Sequence, residues 1–264
     1  MIAVNLIGSN LDNHWRIISL LSDTGENSLL WRGENRQGQI AAIKIPRDIE
    51  NLTRNNKRQK RFANEIDTLL YLKHNGVRSV MPIIGHGLVN NAKPWYAMPI
   101  AEPLDLSSSF SARLNLLSQL ANVVENLHKA GIEHLDIKLG NLMMIDNALV
   151  LSDFGHSKQV PDPTTLLCEK QIVDPDRPWF DYDMYSLAKV CWEILAGSKS
   201  KSLCELSSPE DDLKPLWPTI DTLLIKKLQM TIFSASSKDP LARPNAVKFN
   251  QKIQEIYRSL QHDD

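Results

Sequence analysis

The chain has 264 residues; Lys and Arg total 30, Asp and Glu total 31, and the formal charge is −1. With 42% hydrophobic and 23% charged residues, a disordered tail, a collagen-like repeat and a membrane bundle are excluded, and near-neutral charge argues against general attraction to nucleic acid or anionic lipid. Cys168, Cys191 and Cys204 form no CxxC pair and no disulfide framework, and no signal peptide is legible, so a reducing, cytoplasmic setting is expected.

Up to about residue 100 the pattern reads as strands with one helix. Residues 15–21 and 28–32 are short strands around the turn chemistry of Asp23-Thr24-Gly25-Glu26-Asn27. A second turn, Arg36-Gln37-Gly38-Gln39, leads into a strand at 40–45. Apolar residues at 62, 66, 69, 70 and 72 predict a helix over 62–73. Residues 80–84 and 95–100 read as further strands. After Pro103 the spacing predicts a long amphipathic helix over 111–130, with Leu114, Leu117, Leu120, Ala121, Val124 and Leu127 on one face. Short strands at Leu142–Ile145 and Ala148–Leu151 flank the hairpin signal Asp146-Asn147. Helices follow at 183–195, 219–232 and 246–260. A mostly β half thus precedes a mostly helical one, with the boundary near 101–106. A cleft between two such halves is a natural ligand site.

The strongest chemical signal is His134-Leu135-Asp136-Ile137-Lys138-Leu139-Gly140-Asn141, followed after the hairpin by Asp153-Phe154-Gly155. This pair of segments resembles the catalytic and metal loops of the eukaryotic-like Ser/Thr protein kinases. The resemblance implies an α+β, two-lobed protein kinase fold. Residues 1–101 would be a small antiparallel-sheet N-lobe and 102–264 a larger helical C-lobe. Phosphoryl transfer needs an oriented hydroxyl, a metal clamp and neutralised phosphate charge. By resemblance, Asp136 accepts the hydroxyl proton and Lys138 sits beside the transferred phosphate. Asn141 and Asp153 supply hard oxygens to Mg²⁺ (or Mn²⁺). His134 and Phe154 belong to the structural part of the same pattern.

Upstream, Ala41-Ala42-Ile43-Lys44 resembles the family's Val-Ala-Ile-Lys strand, so Lys44 would reach the ATP phosphates and pair with Glu65 on the following helix. The glycine-rich pattern is degenerate: its best register, Asp23-x-Gly25-x-x-Ser28-x-Leu30, keeps one glycine of three, and a register one residue earlier begins at Ser22. Weaker ATP binding or a mobile loop is expected there. The segment from Trp95 to Glu102 resembles the family's hinge. Met98 would be the gatekeeper, and the backbone of Pro99 and Ala101 would meet the adenine edge. Ala42, Leu30 and Met143 would sandwich the ring.

In the helical half, Asp183-Met184-Tyr185-Ser186-Leu187 resembles the segment whose Asp holds the catalytic-loop backbone; a carboxylate there also suits a helix N-terminus. Asp239-Pro240-Leu241-Ala242-Arg243-Pro244 matches the family's Asp-Pro-x-x-Arg-Pro. That Arg pairs in the family with the Glu of Ala-Pro-Glu, which is missing here, and Asp176 is the nearest substitute. Leu135 replaces the family's common Arg, the residue that binds an activation-segment phosphate. Ser157, Thr164 and Thr165 are candidate phosphorylation sites that could not act through that Arg, so constitutive or partner-controlled activity is expected. Arg54, Lys57, Arg58, Lys60 and Arg61 form a basic cluster, read as a solvated face with docking to an acidic partner as the alternative. His74, His86, His128 and His156 show no metal-ligand spacing.

The resemblance implies transfer of the ATP γ-phosphoryl group to Ser or Thr of protein substrates, with autophosphorylation, no nucleic acid partner and no membrane span. Lys138 favours Ser/Thr over Tyr. Two alternatives stay open. A pseudokinase scaffold is motivated by the degenerate glycine pattern and the missing Ala-Pro-Glu. A small-molecule phosphotransferase shares the His-x-Asp-x-x-x-x-Asn loop.

Overall fold

The structure, a computed structural model, describes residues 6–12, 14–25, 27–47, 52–89, 93–106, 108–160, 181–197 and 211–262. They fall into two compact units. One runs up to Glu102 and includes Ser152–His156; the other comprises Pro103–Leu151 and the chain from Ser157 onward.

The first unit is built on β1 (Asn10–Leu11), β2 (Trp15–Ser22), β3 (Ser28–Asn35), β4 (Ile40–Pro46), β5 (Gly85–Val89) and β6 (Lys93–Met98), with one helix, α1 (Leu52–His74). The strands form an antiparallel sheet in the order β1-β2-β3-β4-β6-β5. Alternation along β4 decides its two faces. Ala41, Ile43 and Ile45 join Trp15, Trp31 and Trp95 in one buried cluster. Ala42 and Lys44 belong to the opposite face, opposed across the ladder by Met98 and Tyr96. At the sheet edge a Cβ on Gly87 would lie 1.7 Å from Asp12 Oδ2. The missing side chain lets that carboxylate accept the Trp95 indole N–H at 3.2 Å.

Two differences from the sequence expectation have clear causes. Helix α1 starts ten residues before 62, at Leu52. Residues 53–61 are all polar and largely exposed, so they carry no apolar period to mark the first turns. The apolar run 80–84 forms no extended strand; Val80, Met81 and Ile83 are buried, and Pro82 has no N–H to give a ladder. The strand is instead β5, whose two glycines weaken its sequence signal.

A two-residue strand, β7 (Glu102–Pro103), lies at the junction in the chain. The second unit carries α2 (Phe110–Lys129), β8 (Ile132–Glu133), β9 (Leu142–Ile145), β10 (Ala148–Leu151), β11 (Lys158–Gln159), α3 (Asp181–Ala196), α4 (Thr222–Ala235) and α5 (Ala246–His262). Ser109 caps α2 by accepting the Ala112 N–H at 3.3 Å, and Asp221 caps α4 by accepting the Leu224 N–H at 2.8 Å. The predicted apolar face of α2 is completely buried, from Leu114 to Leu127. Asp146 and Asn147, at φ 49° and 63°, make the tight hairpin between β9 and β10. Strand β8 pairs with β11, a two-residue ladder too short to read from sequence. Cys191 is free and buried on α3, and burial pushes its thiol pKa up. Cys168 and Cys204 lie outside the described residues. No described helix is long and apolar enough to cross a membrane.

Candidate active site

In the first unit, Lys44 Nζ donates to both carboxylate oxygens of Glu65, at 2.8 Å and 2.9 Å, and lies 3.7 Å from Asp153 Oδ1. The pair forms because β4 presents Lys44 on the face that α1 covers, where Glu65 is 2% exposed. Burial alone would lower the Lys44 pKa. The charges of Glu65 and Asp153 and their hydrogen bonds outweigh it, and the pKa is raised. Lys44 is therefore a fixed cation at neutral pH. Asp153 has φ 66°, an uncommon conformation for a non-glycine residue. Phe154 is fully buried behind it, and its carbonyl accepts from Asn64 of α1 at 3.4 Å.

One partner in this group had no sequence signal. The Tyr96 hydroxyl donates to Glu65 Oε1 at 2.9 Å. Its ring lies 5.5 Å from that of Phe62, one turn before Glu65, and Lys44 Nζ is 5.7 Å from the Tyr96 centroid. From sequence, Tyr96 is simply an aromatic strand residue.

The turn between β2 and β3 keeps Gly25 exposed and Ser28 buried. Arg47, just past β4, donates Nε to the Gly25 carbonyl at 2.8 Å and Nη2 to the Asp23 carbonyl. Its backbone N–H bonds the Asn27 carbonyl at 3.0 Å. The guanidinium thus ties down a segment that has lost two glycines of the family pattern. Leu30 opposes Lys44, and Ala42 opposes Met98, so these residues, expected from sequence to meet adenine, share the Lys44 face. Met98 is 9% exposed; Pro99 and Ala101 are half-buried in the segment that follows.

In the second unit, Asp136 Oδ2 receives Lys138 Nζ at 2.6 Å and Asn141 Nδ2 at 3.1 Å. Asn141 Nδ2 also donates to the Asp136 carbonyl at 2.8 Å. The loop is anchored from below by Asp183, which accepts the backbone N–H groups of His134 at 2.7 Å and Leu135 at 2.8 Å, and meets His128 Nε2 at 3.1 Å. Burial would raise the Asp183 pKa, but the His128 hydrogen bond and charge and the two backbone donors outweigh it, and the pKa is lowered. Leu135 sits at φ 64°, and His134 is fully buried with Nδ1 accepting the Asp136 N–H at 3.2 Å. Met143, on β9, is half-buried. His128 showed no metal spacing in sequence; its role as the Asp183 partner is visible only once α2 and α3 pack.

Arg243 has partners among the described residues. Its Nη1 donates to Asp181 Oδ2 at 3.1 Å and to the Asp181 carbonyl at 3.0 Å, at the first turn of α3. Asp176, Thr164 and Thr165 lie outside the described residues. Ser157 is 4% exposed, so its hydroxyl is not presented to solvent here. No described trio of His, Cys, Asp or Glu forms a metal cage. The residues expected from sequence as metal ligands, Asn141 in the second unit and Asp153 in the first, offer a carboxamide and a carboxylate. Such a set fits Mg²⁺, which takes few protein oxygens and completes its shell with water and phosphate.

A family model described as the protein kinase domain matches residues 24–202, more than half of the chain. The Streptomyces coelicolor serine/threonine-protein kinase PkaB is 28% identical over 200 residues, covering 66% of this chain and 46% of that protein. The Mycobacterium tuberculosis serine/threonine-protein kinase PknA is 25% identical over 214 residues, 73% of this chain and 49% of that protein. Aurora kinase of Schizosaccharomyces pombe is 27% identical over 182 residues, 62% of this chain and 49% of that protein. The matched part is less than half the length of each of these relatives.

Proposed function

The chain belongs to the protein kinase family, and from that premise we propose that it transfers the γ-phosphoryl group of ATP to Ser and Thr hydroxyls of protein substrates, itself included. The observation that carries this reading is the retention of both chemical groups: Lys44 paired with Glu65 beside Asp153, and Asp136 held by Lys138 and Asn141.

Asp136 orients the substrate hydroxyl and accepts its proton as the oxygen attacks the γ-phosphorus. The bond to the β–γ bridging oxygen breaks, and ADP leaves with that electron pair. The Lys138 ammonium neutralises charge on the transferred group. Lys44 positions the α and β phosphates, and Glu65 holds Lys44. Bound Mg²⁺ supplies charge neutralisation on the phosphate oxygens; Asn141 Oδ1 and the Asp153 carboxylate are the residues that would hold it. Leu30, Ala42, Met98 and Met143 supply the apolar surface for adenine. Leu135 offers no guanidinium to a phosphorylated segment, so activity does not wait on that contact. A buried free thiol at Cys191 suits a reducing compartment, and we place the reaction in the cytoplasm. The relatives' names and Lys138 support Ser/Thr specificity.

The test is intact mass after incubation with Mg-ATP, with Asp136→Ala alongside, and with an added generic protein substrate. Phosphate-sized mass steps on wild type alone, or on the substrate, support the reading. Nucleotide binding with no phosphate transferred to either protein overturns it in favour of a pseudokinase.

A further inference from the structure

Lys44 has three N–H donors. Two are engaged by the Glu65 oxygens at 2.8 Å and 2.9 Å, and Asp153 Oδ1 lies 3.7 Å from the same nitrogen. Two N–H groups hold Glu65, and the third is the one left to turn toward a phosphate. Where that third N–H aims depends on where Glu65, a carboxylate at 2% exposure, holds the other two. The fold places a second donor at that point. Tyr96 is opposite Lys44 in the β4–β6 register, on the same face. Its hydroxyl reaches Glu65 Oε1, the atom that also takes the 2.8 Å bond from Lys44.

We propose that Tyr96 is a positioning residue for nucleotide phosphates: its hydroxyl holds Glu65 Oε1 in place, so that the carboxylate keeps the third Lys44 N–H aimed at a phosphate. The inference rests on the kinase reading of Lys44, and it extends that reading to a strand residue outside the motifs.

Three features support it. Tyr96 is 1% exposed, so water does not compete for Glu65. Burial and the charge of Glu65 push the phenol pKa well up, so the hydroxyl stays protonated and remains a donor. Phe62 packs on the Tyr96 ring at 5.5 Å, which fixes the direction of the hydroxyl. The titratable groups facing this hydroxyl are Glu65, Lys44 and Asp153.

The experiment is calorimetric binding of Mg-ADP and of adenosine to wild type, Tyr96→Phe, Lys44→Met and the double variant. Tyr96→Phe keeps the ring and removes only the donor. Loss of a hydrogen bond to a charged group corresponds to roughly a tenfold or larger drop in affinity. The expected result is that drop for Mg-ADP with adenosine affinity unchanged, and no further effect of Tyr96→Phe once Lys44 is methionine. Equal losses for both ligands, or none, overturn the role of Tyr96 while leaving the kinase reading intact. Absence of Mg-ADP binding by wild type overturns the kinase reading and this inference with it. If Tyr96→Phe lacks a cooperative thermal transition, Tyr96→Met, which fills the same space without a donor, replaces it in the same four measurements.

Discussion

Arg243 and Asp181 hold each other inside the second unit, at 9% and 6% side-chain exposure and 3.1 Å apart. The guanidinium also donates to the Ser237 carbonyl at 2.9 Å and lies 4.9 Å from the Tyr185 ring centroid. The Arg that follows Asp239-Pro240 thus reaches both the Ser237 carbonyl and Asp181 at the start of α3. An Arg that donates from both Nε and Nη1 and lies against an aromatic ring is not replaceable by a point charge.

Removing one member of such a pair leaves a buried charge uncompensated. Asp181→Ala should cost about 3–5 kcal/mol of unfolding free energy, measured by urea denaturation. Combining it with Arg243→Met should recover a substantial part, because neither charge then remains buried. A single-variant loss below about 1 kcal/mol would mean that the pair is solvated and does not anchor α3.

The Asp183 carboxylate sets a pH dependence. Its folded pKa is lowered, so the folded state binds its proton less readily than the unfolded chain, whose Asp titrates near about 3.9. The stabilisation is present in full above that value and is lost as pH falls through it toward the folded pKa. Asp183→Asn removes this contribution and upsets the acceptors for the His134 and Leu135 N–H groups. It should lower stability at pH 7 by about 1–3 kcal/mol and flatten the acid limb below about pH 4. Unfolding curves collected from pH 3 to pH 7 would decide; parallel limbs for the two proteins would contradict the assignment.

Much of this arrangement was legible because the chemistry is local in sequence. His134 to Asn141 and Asp153 to Gly155 are short segments whose residue types have few other joint uses. The Lys44–Glu65 pair was readable because a strand lysine and a helix carboxylate sit in neighbouring elements. What stayed hidden depends on register or on distant packing. Tyr96 meets Glu65 only because β6 is in register with β4, and a strand aromatic has an ordinary core use. Arg47 follows a strand as any surface arginine could. The contact of Arg243 with Asp181 could not be read either, since Asp181 precedes the recognised Asp183 motif by only two residues and looks like its helix cap. In the fold, the polar start of α1 and the glycine-containing β5 escaped for one reason: periodicity marks buried faces, and these segments bury little.

Arg47 makes a prediction about the degenerate glycine pattern. It bonds the carbonyls of Asp23 and Gly25 and so orders the turn between β2 and β3. Arg47→Ala should free that turn. If the turn covers the nucleotide phosphates, the KM for ATP should rise about threefold to tenfold while kcat stays near wild type, the size expected for one or two exposed hydrogen bonds. Amide hydrogen exchange across residues 22–28 should speed up in the same variant. Faster exchange with unchanged KM would mean that the turn is ordered by Arg47 but does not touch the nucleotide.

Asp136 and Lys138 should separate cleanly in kinetics. In the proposed reaction Asp136 accepts the proton, and its side chain is 27% exposed, so Asp136→Ala would remove that step without opening a buried cavity. Its kcat should fall by about 10²–10⁴-fold, with nucleotide affinity and thermal stability close to wild type. Lys138 is 56% exposed, and in the proposed reaction it stabilises charge that develops during transfer. Lys138→Met should lower kcat and kcat/KM together, leaving ATP binding intact, because the contact strengthens only as the phosphoryl group moves. A Lys138→Met enzyme that loses only ATP affinity would place this lysine in nucleotide binding and remove it from the transfer step.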